Sequence, residues 1–246
     1  MSGIRTALAG WKGRMGQVIG PGLERADGVA LVARVEAGDD LVATCRAARV
    51  EVVVDFTVPA VAAANARRIL EAGCHGVIGT TGFSAADLDD LDARARAAGK
   101  GLLVAPNFAV GVLLMQRFAV AAAKYFPRVE IVEAHHDGKL DAPSGTALRT
   151  ADLLGAARAG RAPAAPSAGD DDGARGHVRA GVHVHSLRLP GLVAHQDVVF
   201  GGPGEVLTIR HDAMSRECYL PGVVLAVRAI GGRVGLVRGL EALLDL

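Results

Sequence analysis

The run Glu133-Ala134-His135-His136-Asp137-Gly138-Lys139-Leu140-Asp141-Ala142-Pro143-Ser144-Gly145-Thr146 concentrates side chains that can move protons and hold charge. Its two histidines titrate near neutral pH and can give or take a proton. Lys139 is one of only four lysines among the 27 Lys and Arg residues of the 246-residue chain, so its place here is not a matter of abundance. Ser144 is a good helix N-cap, which leaves the N–H groups of Gly145 and Thr146 pointing out of the helix start, where an anion is favoured. Proton donors and positive charge beside such a start suit a small carboxylate substrate that is protonated during reaction. A metal is the competing reading of His135 and His136, with His183 and His185 as further ligands. Adjacent strand histidines point to opposite faces, no Cys or Glu stands at zinc spacing, and Lys139 repels a cation, so no metal is assigned. His75, His195 and His211 suit structural roles.

A second constellation is Gly10-Trp11-Lys12-Gly13-Arg14-Met15-Gly16, between an apolar run (residues 4–10) and a helix pattern with Met15, Val18, Ile19 and Leu23 on one face. Glycines let a backbone approach a pyrophosphate, and helix N–H groups face its charge. The spacing is GxxGxxG rather than GxGxxG, and it also fits a plain tight turn. The run VALVARV ends at Glu36, about 20 residues beyond the last loop glycine, where an acid can accept hydrogen bonds from an adenosine ribose. Glu36 disfavours a 2′-phosphate, whereas Lys12 and Arg14 can pair with one, so NADH and/or NADPH is the expected cofactor. Trp11 is unexpected in a close-packed turn and is read as lying outward. Gly79-Thr80-Thr81-Gly82 and Ala105-Pro106-Asn107-Phe108 follow strand-like runs, at the ends where open α/β sheets bind ligands, and could reach the nicotinamide half.

The elements that must position these residues change character midway. Up to about Pro106, apolar runs (IRTALAG, VALVARV, VEVVVDF, HGVIG, LLVA) alternate with helical patterns, among them VPAVAAANARRILEAG and SAADLDDLDARARAAG, the latter with a capping box at Ser84 and Asp87. That alternation predicts a parallel sheet covered on both faces. Beyond Asn107 come an apolar helix over residues 110–125, the strand VEIVEAHH, a helix opening at Ser144, and a low-complexity, structureless stretch over 160–181. Three strand-like runs follow without helices between them: VHVHSLRL, LVAHQDVVFG and EVLTIRHDA. Residues 219–246 read as apolar, helical and returning to the first domain. The expected fold is α/β: a Rossmann-like parallel-sheet cofactor domain (1–107 and 216–246) plus a second, α+β domain with a mixed sheet (108–215).

Composition narrows the function classes. Half the residues are hydrophobic and 22% are charged, which predicts a folded, water-soluble chain. Lys plus Arg (27) nearly cancels Asp plus Glu (26), which speaks against a broad basic field for nucleic acid. Three cysteines far apart in sequence, with no CxxC, predict neither disulfides nor structural zinc. The N-terminal residues lack a long apolar signal segment and no run is long enough for a membrane span, so a cytoplasmic protein without membrane partners is expected.

On GWKGRMG, VVVDFTVP, GVIGTTGF, LLVAPNFAVG, EAHHDGKLDAPSGTA, GLVAHQDVVFG and EVLTIRHDA, the chain resembles the 4-hydroxy-tetrahydrodipicolinate reductase (dihydrodipicolinate reductase) family nearly end to end. The resemblance implies a cytoplasmic homotetramer that uses NAD(P)H to reduce a small dicarboxylate in diaminopimelate and lysine biosynthesis, with the α+β domain (108–215) as the substrate and tetramerisation domain. It implies His135 as the catalytic acid/base, Lys139 as proton donor, and His136, Ser144, Gly145 and Thr146 as substrate-binding residues. Gly10 through Met15, Glu36, the Gly79–Thr81 turn and Ala105 through Phe108 would hold the cofactor. Three positions depart from the family pattern: Trp11 replaces a small residue, Gly138 stands where a third histidine is common, beside Asp137, and Ala37 stands where NADPH users often carry Arg. Two rivals are another nicotinamide-dependent dehydrogenase, such as a semialdehyde dehydrogenase, and a non-catalytic NAD(P)H sensor. The former needs a nucleophilic cysteine, for which Cys74 and Cys218 lack a base. The latter has no use for the His-His-Lys cluster.

Overall fold

The computed structural model describes residues 3–159 and 173–244. They form two compact units, one of residues up to 110 together with those from 216, the other of residues 111–215.

In the first unit, strands β1 (Ile4–Ala9), β2 (Val29–Val35), β3 (Val52–Asp55), β4 (His75–Ile78), β5 (Gly101–Val104) and β11 (Gly235–Arg238) build one sheet in the order β11-β5-β4-β3-β1-β2. Every pairing is parallel. The crossovers are helices α1 (Gly16–Arg25), α2 (Leu41–Ala47), α3 (Pro59–Glu71) and α4 (Ala85–Ala97), and α7 (Leu220–Ile230) packs on the sheet against β4 and β5. With both faces covered, the central strand β3 buries all four of its side chains, Val52, Val53, Val54 and Asp55, whereas the edge strand β2 buries only Val29 and Val35. α4 begins with the capping box of Ser84 and Asp87. Because β2 lies on one side of β1 and β3 on the other, the strand order reverses between β1 and β3, and a crevice opens there beyond the strands' carboxyl ends.

Two elements of this unit escape the hydrophobic pattern. α2 is short, capped by the Asp40 side chain on the Ala43 N–H, and buries only Leu41 and Cys45. The C-terminal segment, expected to be helical throughout, is helical only to Ile230. Gly235 and Gly239 have φ of 93° and 81°, which a helix cannot continue through, and between them the chain adds the edge strand β11 before a 3-10 turn at Leu240–Leu243. Cys45 and Cys74, far apart in sequence, are both buried free thiols in the core of this unit.

The second unit carries helices α5 (Val110–Ala122) and α6 (Gly145–Ala157) and strands β6 (Arg128–His135), β7 (His177–Arg179), β8 (Val182–Arg188), β9 (Ala194–Gly202) and β10 (Glu205–Ala213). The sheet order is β10-β9-β6-β8-β7, with β6 and β8 parallel and the other pairs antiparallel. Both helices lie on one face: α6 packs on β8 and β7, and Gln116 of α5 donates to Thr150 of α6. That face buries Val129, Ile131, Val184, Val198 and Phe200. Part of the stretch expected to lack structure is ordered. Ala180 and Gly181, with φ of 50° and 77°, make a two-residue turn that folds β7 back on β8. Residues 160–172 lie outside the described residues.

Candidate active site

In the first unit, four loops meet at the carboxyl ends of β1, β3, β4 and β5. The first has room for backbone alone. Gly10 has φ of 78°, and a Cβ there would stand 2.8 Å from the Phe56 carbonyl oxygen; one on Gly16 would stand 2.2 Å from the Gly10 oxygen. α1 starts without a side-chain cap, and the N–H groups of Arg14, Met15 and Gly16 take no acceptor among the described residues. Such a start attracts an anion, so the loop fits a pyrophosphate. Glu36, at the end of β2, accepts from the Lys12 N–H through one oxygen at 2.5 Å, which leaves its second oxygen for a hydroxyl. Trp11 is half-buried rather than outward, with the Lys12 ammonium 5.5 Å and the Arg34 guanidinium 6.0 Å from its ring centre. Lys12 and Arg14 are exposed.

The remaining loops are drawn together by residues that the sequence reading passed over. Asp55 is fully buried and accepts from the Thr57 N–H (2.8 Å) and hydroxyl (2.6 Å), the Asn65 amide (2.9 Å) and the Thr80 hydroxyl (3.2 Å). Phe56 packs edge-on against Phe108 at 5.6 Å, and its ring leaves no space for a side chain on Gly79. Gly79, Thr80, Thr81 and Ala105 through Phe108 thus sit around one aromatic pair. Phe108 is buried, which leaves its backbone to offer, and Asn107 spends its carbonyl oxygen on the Ala109 N–H. An acid ending an otherwise apolar strand was the available signal for Asp55.

In the second unit, β6 delivers Glu133 and His135 to the loop that opens α6. Glu133 is completely buried, yet it carries charge. Its Oε2 accepts from His135 Nδ1 at 2.5 Å and from Arg188 at 3.0 Å; its Oε1 accepts from Arg188 at 2.8 Å and from the Ser144 N–H at 3.2 Å. Burial works to raise the carboxyl, and hydrogen bonds from His135, Arg188 and Ser186 outweigh it, holding the group down at about 2. An ionised carboxylate only accepts, so the His135 proton stays on Nδ1 and Nε2 is the nitrogen turned to other partners. Arg188 reaches this point because β6 and β8 pair with His135 beside Arg188. Sequence reading missed both Arg188 and the role of Glu133.

The helix start is as expected: the Ser144 hydroxyl accepts from the Ala147 N–H, and the N–H groups of Gly145 and Thr146 take no acceptor among the described residues. A Cβ on Gly145 would meet open space. Ser144 itself is buried with hydroxyl and N–H both engaged, so it shapes the site rather than facing it. Lys139 differs from the free cation the sequence suggested. Its ammonium lies 2.7 and 2.8 Å from the two Asp141 oxygens, which holds that carboxyl below its usual range. His136 is exposed on the same loop. His75 accepts from the Gly101 N–H, His195 pairs with Asp212, and His183 and His185 bond to the Arg175 carbonyl and Glu130. Among the described residues no group of three or more His, Cys, Asp or Glu is gathered for a metal.

Comparison with known proteins matches this arrangement from end to end. The family described as dihydrodipicolinate reductase, N-terminus, matches residues 4–108, and that described as dihydrodipicolinate reductase, C-terminus, matches residues 111–244. A 4-hydroxy-tetrahydrodipicolinate reductase of Nocardia farcinica is 51% identical over 99% of both chains, and one of Moorella thermoacetica is 48% identical over 98% of both. Among solved structures, a dipicolinate-bound dihydrodipicolinate reductase from Paenisporosarcina sp. TG-14 superposes with a TM-score of 0.89 at 37% identity, covering 98% of this chain and all of that one. With buried carboxylate, histidine, lysine and helix start all falling within those matched segments, the chain belongs to the dihydrodipicolinate reductase family of oxidoreductases.

Proposed function

We propose that the chain reduces 4-hydroxy-tetrahydrodipicolinate, through its dehydrated form, to tetrahydrodipicolinate with NADH or NADPH, as a step of diaminopimelate and lysine biosynthesis. The observation that carries this reading is the pairing of His135 with an ionised, buried Glu133 beside the free N–H groups of Gly145 and Thr146. One group is thereby placed to handle a proton and another to hold a carboxylate.

A bound nicotinamide would supply hydride to the substrate ring. For such a cofactor, the close-packed glycine turn at Gly10 and Gly13 and the N–H groups of Arg14, Met15 and Gly16 offer a backbone cradle to the pyrophosphate, and Glu36 a free oxygen to the ribose. Lys12 and Arg14 offer charge to a 2′-phosphate, which supports use of both cofactors. Gly79, Thr80, Thr81, Ala105, Pro106, Asn107 and Phe108 line the end of the sheet toward the nicotinamide half.

His135 protonates the carbon next to the reduced one through Nε2. Lys139, released from Asp141 when a substrate carboxylate takes its place, supplies charge or the proton. His136, Gly145 and Thr146 hold the two carboxylates, with Ser144 keeping the helix start in shape. Residues 1–107 and 216–246 serve the cofactor, and residues 108–215 the substrate and the oligomer. A homotetramer is supported by the sheet face opposite α5 and α6, where Val206 is 71% and Leu187 47% exposed. No helix among the described residues is long and apolar enough to cross a membrane, and we place the enzyme in the cytoplasm.

The test is absorbance at 340 nm with each reduced nicotinamide and substrate generated in situ from pyruvate and aspartate semialdehyde. Substrate-dependent loss of absorbance is expected; none at high enzyme concentration overturns the reading.

A further inference from the structure

We infer that Glu133 is a positioning residue that sets His135 and the start of α6 in one fixed geometry, with the partly buried Arg188 as its counter-charge. The inference rests on the reductase reading for the identity of the groups positioned.

The two carboxylate oxygens accept from His135 Nδ1, two guanidinium nitrogens of Arg188 and the Ser144 N–H, with Ser186 a further donor. His135 ends β6, Ser144 caps α6, and Arg188 ends β8, so one side chain ties three elements at the point where the site lies. Arg188 extends the tie, donating also to the carbonyls of Asp141 (2.6 Å) and Leu187 (2.6 Å). The loop from His136 to Pro143, which carries Lys139, is therefore pinned at its start, near its end and at the helix that follows.

Stability alone does not call for such a pair. A buried ion pair is matched or bettered by apolar side chains of similar volume, because taking two charges out of water offsets most of their attraction. What an apolar pair cannot do is accept the Nδ1 proton, which fixes Nε2 as the working nitrogen, and hold the Ser144 N–H at the same time. Glu133 is wholly inaccessible and never meets substrate.

The experiment compares wild type with E133M, R188M and the double variant E133M/R188M. It follows the thermal midpoint, kcat and KM, dipicolinate binding by calorimetry, and the tautomer of His135 from 15N-edited spectra. In the wild type the proton is expected on Nδ1, with Nε2 responding to dipicolinate. Each single variant leaves a buried partner uncompensated and lowers the midpoint. The double variant recovers the midpoint, while its kcat stays down by about 10²-fold, as for a misplaced catalytic group, and the ring loses its fixed tautomer. Recovery of both midpoint and kcat in the double variant overturns the proposal, and so does a wild-type ring whose Nδ1 carries no proton. Should single and double variants all fail to fold, the wild-type spectra alone decide. The spectra and dipicolinate binding also do not depend on turnover, so an enzyme inactive at 340 nm would sink the reductase reading without deciding this one.

Discussion

Glu133 carries a stability consequence that can be worked in advance. Its carboxyl titrates at about 2 in the folded chain against 4.5 in the unfolded one. The folded value is the lower, so the contribution is complete well above pH 4.5 and disappears as pH falls toward 2. For this one group the linkage relation gives a loss of about 1 kcal/mol by pH 4, about 2 kcal/mol by pH 3 and about 3 kcal/mol by pH 2. Other carboxyls held below their usual values by partners, among them Glu130 and Asp212, add their own acid dependence, and comparison with E133Q cancels them. At pH 7 the wild type should be the more stable, because E133Q leaves Arg188 short of its counter-charge. By pH 3 that gap should narrow by about 2 kcal/mol, or roughly 4–8 °C in the thermal midpoint for a chain of this size. Calorimetric midpoints of both proteins at pH 7, 5, 4 and 3 make the test. A gap that stays constant over this range would refute an ionised Glu133 in the folded state.

Three further outcomes follow from the same geometry. His135→Gln should lower kcat by about 10²–10⁴-fold with nucleotide affinity little changed, and wild-type turnover would remove His135 from the chemistry. Gly16→Ala places a Cβ where only 2.2 Å separates it from the Gly10 oxygen, so the loop must shift. Nucleotide binding by calorimetry should weaken by about tenfold or more, corresponding to about 1.4 kcal/mol, and unchanged affinity would show that the loop does not cradle the cofactor. Trp11 is the sole tryptophan, so titration with NADH should quench its emission to saturation without substrate. A flat titration under conditions where calorimetry detects binding would contradict its place in the cradle.

Local chemistry made much of the fold legible. The capping box at Ser84 and Asp87, the alternation up to Pro106 and the Ser144 cap each depend on neighbours a few residues away. α2 and β11 were not legible, because seven residues with two buried positions carry little periodicity and a four-residue edge strand carries less. The glycines at 235 and 239 were the available clue to the latter. At the site, the His-His-Lys run and the glycine loop announced themselves by composition. Their supports did not: Arg188 lies 55 residues from Glu133 and meets it only through the parallel pairing of β6 with β8. Cys45 and Cys74 meet for a similar reason, across a core that no local pattern records. The Lys139–Asp141 pair was within reach, since an acid two residues from a lysine can neutralise it.

Hydride transfer from a reduced nicotinamide to the product of pyruvate and aspartate semialdehyde is the reaction proposed for this chain. Parallel measurement of kcat/KM with NADH and with NADPH at 340 nm tests it most directly. Turnover with both is expected, supported by Glu36 on one side and Lys12 and Arg14 on the other. Absence of turnover with either cofactor, at high enzyme concentration and with the substrate shown to be present, would contradict it.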